Sequence, residues 1–135
     1  MIKQDLRDKI RDNGFERFIV YDYPSFDDSI IGVEVNGTIV YAYPLMVEEY
    51  IMDECDNNKE PLTNDELYEK RTDAMEFIDY NTLRATPYMG PTAPVVLDFN
   101  PESEDYYNMV SGEKYDINKI EFKIEEKYNE FKNYY

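Results

Sequence analysis

Carboxylates are the most abundant chemically capable side chains in this sequence. It holds 30 Asp and Glu against 14 Lys and Arg, with no histidine and one cysteine. Neighbouring acids such as Asp27-Asp28 and Glu48-Glu49 have the residue types for acid–base work on a sugar. Adjacent residues on a strand or helix point in different directions, however, and so acidic a chain contains such pairs by chance. The absence of histidine removes the commonest general base and transition-metal ligand. A lone cysteine cannot build a thiolate zinc site, and Cys55 reads as a small core residue on an apolar helix face rather than a nucleophile. Residues 53–60 (DECDNNKE) have calcium-binding residue types but lack the central glycine and the spaced final Glu of a calcium loop, and read as a solvated turn. Neither G-x-x-x-x-G-K-[ST] nor G-x-G-x-x-G occurs. These observations predict a non-enzymatic protein with no catalytic residue, no metal and no cofactor.

What remains for the carboxylates is charge. A net charge of −16 repels nucleic acid and membranes and favours a basic protein surface as partner. Its distribution is uneven: residues 48–76 hold eleven acids and three bases, net −8, and residues 77–97 are neutral. Within the acidic stretch, Thr63 and Glu66 form a capping box, with Leu62 and Leu67 as a hydrophobic staple. The helix they start is expected to run to about Tyr80, with Leu67, Ala74, Met75 and Ile78 facing the core. Asp65, Glu69, Asp73 and Glu76 then align along its outer face, where like charges at that spacing repel one another. Glu66, Asp53, Glu54 and Asp56 enlarge the same region. Two readings stand: an ordinary solvated face, or a partner-binding row that imitates a phosphate backbone inside a nucleic-acid channel.

The remaining elements must position that row. Ile2, Leu6 and Ile10 followed by Gly14 predict a short amphipathic helix over residues 2–13, and residues 15–23 (FERFIVYDY) a strand ending at Pro24. Two apolar runs around Asn36-Gly37 predict a hairpin with a type I′ turn, which explains the sequon Asn36-Gly37-Thr38 better than glycosylation does. Pro44 opens a helix carrying Met46, Val47, Tyr50, Ile51 and Cys55 on one face. Residues 94–99 read as a strand and residues 100–115 as a mobile loop. Asp116 caps a long C-terminal helix whose stripe is Ile117, Ile120, Ile124, Tyr128, Phe131 and Tyr135, packed on the domain or on a second copy. The expected fold is a single α+β domain, residues 1–135. A small antiparallel sheet, the hairpin plus one or two further strands, packs with three to four helices. With 42% hydrophobic residues, 14 tyrosines, no leader and no spanning run, the expectation is a soluble cytoplasmic monomer or homodimer.

The neutral segment EFIDYNTLRATPYMGPTAP starts at Glu76. Ile78 and Tyr80 are expected to close the helix against the core, and Arg84, its lone base, to pair with Asp79 or a nearby carboxylate. Asp79, Tyr80, Asn81, Arg84 and Tyr88 thus mark either a structural corner joining helix to strand or a second binding site. Ala74, Glu76, Phe77-Ile78-Asp79-Tyr80-Asn81-Thr82, Arg84-Ala85, Pro87-Tyr88, Gly90 and Ala93-Pro94 spell A-x-E-[WF]-I-D-Y-N-T-x-R-A-x-P-Y-x-G-x-x-A-P, with Tyr43-Pro44-Leu45-Met46-Val47-Glu48 upstream. In this the chain resembles small acidic, largely uncharacterised proteins of Firmicute phages and integrative elements. It departs from them in lacking Trp, in the insert at residues 53–63 and beyond residue 100. The resemblance implies a mobile-element origin, and with it an inhibitor of host or defence machinery, such as a CRISPR effector. The alternative is an accessory module that binds a peptide, a small ligand or itself through residues 77–97.

Overall fold

The computed structural model describes residues 2–55 and 63–134. Its centre is the expected hairpin, β1 (Ile30–Glu34) against β2 (Ile39–Ala42), with Ile30 opposite Tyr41 and Val33 opposite Ile39. β2 is apolar throughout and β1 is buried as far as Val33, because both sheet faces are covered. Ile30, Val33, Ile39 and Tyr41 enter one core, and Ile31, Val40 and Ala42 the other. The loop is not type I′. The Gly37 N–H donates to the Glu34 carbonyl at 2.9 Å, and in this loop Gly37 alone takes a positive φ, +92°. This is a bulged loop in which Asn36 instead accepts from the Thr38 N–H through its side chain, at 3.1 Å.

From β2 the chain enters α2 (Tyr43–Cys55) and, after the undescribed stretch, α3 (Asn64–Phe77), returning as β3 (Val95–Asn100) parallel to β2. A parallel pair needs a crossover of this kind. β4 (Asp105–Asn108) and β5 (Lys114–Tyr115) then extend the sheet beyond β3, so residues 100–115 are a hairpin region rather than a loop. β6 (Ile120–Lys123) adds antiparallel to β1 at the opposite edge, giving the order β5-β4-β3-β2-β1-β6. The fold is α+β as expected, but the sheet is mixed and larger than a hairpin with one or two neighbours.

Two expected elements form differently. Residues 15–23 join no ladder, because both edges of the central hairpin are taken, β2 by β3 and β1 by β6. Their aromatics pack over the core instead, and the Tyr21 N–H donates to the Tyr41 hydroxyl at 3.0 Å. The long C-terminal helix is replaced by a single 3-10 turn at Ile117–Lys119 that Asp116 caps, then β6, then the short α4 (Glu125–Lys132). Ile120, Phe122 and Ile124 alternate with Glu121 and Lys123, a period-two pattern that coexists with the helical one. The open edge of β1 selects it. A bulge opposite the Val33–Glu34 step sends Ile120 into one core and Phe122 to the other. Phe131 of α4 still reaches the core, whereas Tyr135 lies outside the described residues.

α1 (Ile2–Asp12) stops at Gly14, φ +95°, buries Ile10, and ties to the rest through Arg7, which grips buried Asp27. No helix among the described residues is long and apolar enough to cross a membrane.

Buried tyrosines knit the core to its connections. The Thr86 hydroxyl donates to the Thr82 carbonyl at 2.8 Å, leaving its oxygen to accept from the Tyr21 hydroxyl at 2.7 Å. Burial pushes the Tyr21 phenol up to about 12, and burial drives Tyr41 and Tyr43 higher still. A phenol whose pKa is raised by folding stabilises the protein fully below its unfolded value and loses that contribution as pH rises through the folded value. Stability is therefore expected to hold up to pH of about 10 and to fall steeply above it, reaching the Tyr21 midpoint near pH 12. Urea midpoints across that range, set against tyrosinate absorbance, measure it. A midpoint that stays flat while all tyrosines ionise would contradict the buried network.

Candidate functional site

α3 begins as its sequence dictates. The Thr63 hydroxyl accepts from the Glu66 N–H at 3.1 Å, and the Glu66 carboxylate accepts from the Thr63 N–H at 3.0 Å. That backbone donor, foremost, holds the Glu66 carboxyl below its usual range. Leu62, the expected staple, lies outside the described residues. Ala74 and Ile78 are buried and Leu67 half-buried, which commits one side of the helix to the core. Met75 is not part of that side: it is 45% exposed.

Asp65, Glu69, Asp73 and Glu76 are all exposed, and none has an ion-pair partner among the described residues. The helix's own bases serve elsewhere. Lys70 lies 4.0 Å from Glu54, and Arg71 lies 2.8 Å from Glu48, both on α2. Arg71 also donates to the Tyr134 hydroxyl, which in turn donates to Glu48. Of the upstream candidates, Asp53 accepts from the Tyr23 hydroxyl at 2.7 Å and Glu54 faces Lys70, so both are partly spent inside the fold. Asp56 lies outside the described residues. Tyr50 sits between the two helices, its phenol pushed up by burial first and then by Glu54 and Asp73.

Past Phe77 the helix widens into a π-helical turn, Ile78–Leu83, closed by the Arg84 N–H donating to the Asp79 carbonyl at 3.3 Å. The extra residue in the turn sorts the neutral segment by side. Ile78 and Thr82 point into the core, while Asp79, Tyr80 and Asn81 point out. Tyr80, expected to be buried, is 68% exposed. Arg84, expected to pair with a carboxylate, instead lies over the Tyr80 ring, 4.9 Å from its centroid, and makes no ion pair among the described residues. Four residues apart on a widened turn, the two side chains share one face, and stacking satisfies the guanidinium without removing it from water. Asp79 accepts from the Tyr43 hydroxyl at 3.3 Å, and the Asn81 amide donates to the Phe77 carbonyl at 3.2 Å.

These groups converge. Asp73, Glu76, Phe77, Asp79, Tyr80, Asn81 and Arg84 line one groove of about 700 Å³. The structure thus joins the C-terminal half of the acidic row to four of the five corner residues. Asp65, Glu66 and Glu69 lie farther along the helix, outside the groove, and Tyr88, 90% exposed, stands apart from it. Tyr68 and Met75 flank the row on its other side and were not recognisable as site residues from composition. Their signal is the 4-3-4 spacing of Tyr68, Thr72, Met75 and Asp79, which line a second groove of about 490 Å³ with Arg71 and Glu76. Among the described residues no group of three His, Cys, Asp or Glu side chains is placed to hold a metal ion. Exposed carboxylates without ion-pair partners among the described residues are suited to charge-assisted hydrogen bonds with Lys or Arg. Compared with known proteins, the chain matches no family model, no curated protein and no solved structure.

Proposed function

We propose that this protein is a non-enzymatic binder whose α3 face docks on the basic surface of a nucleic-acid-binding protein and keeps nucleic acid out. One observation carries the reading. Asp65, Glu69, Asp73 and Glu76 form a single exposed row without ion-pair partners among the described residues, while the neighbouring Lys70 and Arg71 are spent on α2. A row that repels itself gains most when a cationic surface neutralises it. The resemblance of residues 74–94 to phage and integrative-element proteins supports a target in host or defence machinery in the host cytoplasm, such as a CRISPR effector. A second reading, an accessory module that holds a peptide or small ligand, draws on the open groove beneath Arg84 and Tyr80.

Reversing two charges, Glu69→Lys with Asp73→Lys, separates the two. Both positions are exposed, so the free protein is expected to melt at or above the wild-type temperature as self-repulsion falls. Association with a basic nucleic-acid-binding protein, obtained by capture from a host lysate at low ionic strength, should slow by about tenfold or more, with the difference shrinking as salt rises. Equal association rates at low salt would leave the accessory-module reading standing.

A further inference from the structure

The acidic row has an apolar border. Tyr68 is 73% exposed and Met75 45% exposed, on the outer side of α3 next to the carboxylates. One exposed apolar side chain needs no explanation. Two large ones seven residues apart are different, because they repeat after two turns, about 10 Å along the axis, on the same side of the helix. Thr72 lies between them, and the groove they line adjoins the larger one across Glu76 and Asp79, which border both. The far rim is Arg71, whose guanidinium is already held by Glu48 and Tyr134. The strip is thus apolar along its middle, neutralised on one flank and negative on the other.

That asymmetry selects the occupant. A second copy of this chain, also at −16, would set an acidic row against an acidic row. Nucleic acid and anionic lipid are repelled for the same reason. An extended strand would find only side chains here, because α3 offers no open ladder edge. A helix with an apolar stripe beside a row of Lys or Arg satisfies both strips at once. We propose that the partner presents a basic amphipathic helix. Its apolar stripe lies between Tyr68 and Met75, and its cations lie along Asp65, Glu69, Asp73 and Glu76. Met75 suits such a contact, since an unbranched thioether adapts to the side chain it meets. The neutralised Arg71 flank fixes the orientation, because Glu48 on that side is already held by Arg71 and the Tyr134 hydroxyl. This inference rests on the acidic-face reading above and adds the partner's shape and its apolar anchors.

The test uses two fluorescein-labelled helical peptides, one with Leu on one face and Lys on the adjacent face, the other with every Leu replaced by Gln. Anisotropy titrations at low ionic strength compare the wild type, Tyr68→Ser with Met75→Ser, Met75→Gln alone, and Glu69→Lys with Asp73→Lys. Thermal melts confirm that each variant is folded, and all these positions are exposed. The Leu/Lys peptide is expected to bind the wild type about tenfold more tightly than the Gln/Lys peptide. The Tyr68/Met75 double variant should remove that advantage and leave Gln/Lys binding unchanged, with Met75→Gln falling between. The charge reversal should weaken both peptides. If the reversal weakens both while the Tyr68/Met75 variant binds Leu/Lys like the wild type, the amphipathic partner is refuted and the acidic-face reading survives. If the reversal changes neither, the acidic-face reading fails and this inference fails with it.

Discussion

Replacing Arg7 with alanine is expected to cost about 3–5 kcal/mol of folding stability. Arg7 donates from Nε to one Asp27 oxygen at 2.9 Å and from Nη2 to the other at 3.2 Å. The Asp27 side chain is 1% exposed. A fork of this kind satisfies a carboxylate that water cannot reach, and the pairing raises the Arg7 guanidinium above its already high ordinary value. Truncating Arg7 leaves a buried charge without a counter-ion, and that desolvation cost sets the magnitude. Lysine at this position is expected to recover only part of the loss, since one ammonium cannot meet both oxygens. Leucine at both positions, Arg7→Leu with Asp27→Leu, should cost less than Arg7→Ala alone, because it removes the stranded charge altogether. Urea denaturation of the three variants against the wild type decides the matter. A loss below about 1 kcal/mol for Arg7→Ala would mean that the pair behaves as an exposed ion pair. In that case α1 would not be held by it.

Gly32→Ala is expected to be nearly as damaging, at about 3 kcal/mol. Gly32 is the central residue of β1 and pairs with Val40 on one side and Lys123 on the other. An added Cβ would overlap Ile120 Cγ2 and lie 2.8 Å from the Phe122 carbonyl oxygen. The isoleucine can turn its side chain away. The carbonyl belongs to the backbone of β6 and can move only if the β1–β6 ladder shifts. The cost should therefore appear first at that edge, as faster hydrogen exchange at Ile120–Lys123 ahead of the β2–β3 core. An alanine variant with unchanged stability and unchanged protection in β6 would show that the bulge absorbs the methyl freely.

The two positions illustrate what residue types alone convey. Nothing about Asp27 beside Asp28 announces a buried acid, and only the tertiary packing that brings Arg7 of α1 to it makes it one. The acidic row of α3 was readable because a capping box and a 3.6-residue period are local, and the structure keeps Asp65, Glu69, Asp73 and Glu76 on one exposed face. The groove beside it was not readable. It depends on the π-helical turn at Ile78–Leu83, which turns Tyr80 outward and lays Arg84 across it, and on α2, which removes Lys70 and Arg71 from the row. Met75 was assigned to the core because its spacing from Ile78 suits either side of a helix with few apolar residues.

The sequence by itself determined the hairpin at Asn36-Gly37, the apolar side of α2, the start of α3 and the sign and position of its charge. Each of these arises from contacts within a few residues: a turn, a cap, or side chains one helical turn apart. Tertiary structure alone decided that residues 15–23 stay out of the sheet, that Ile120–Lys123 become a strand and that β3 lies parallel to β2. All three segments carry β-forming or double-period patterns that several conformations satisfy. The choice among them falls to whichever backbone edge is still open, and an open edge exists only once the neighbouring strands are in place.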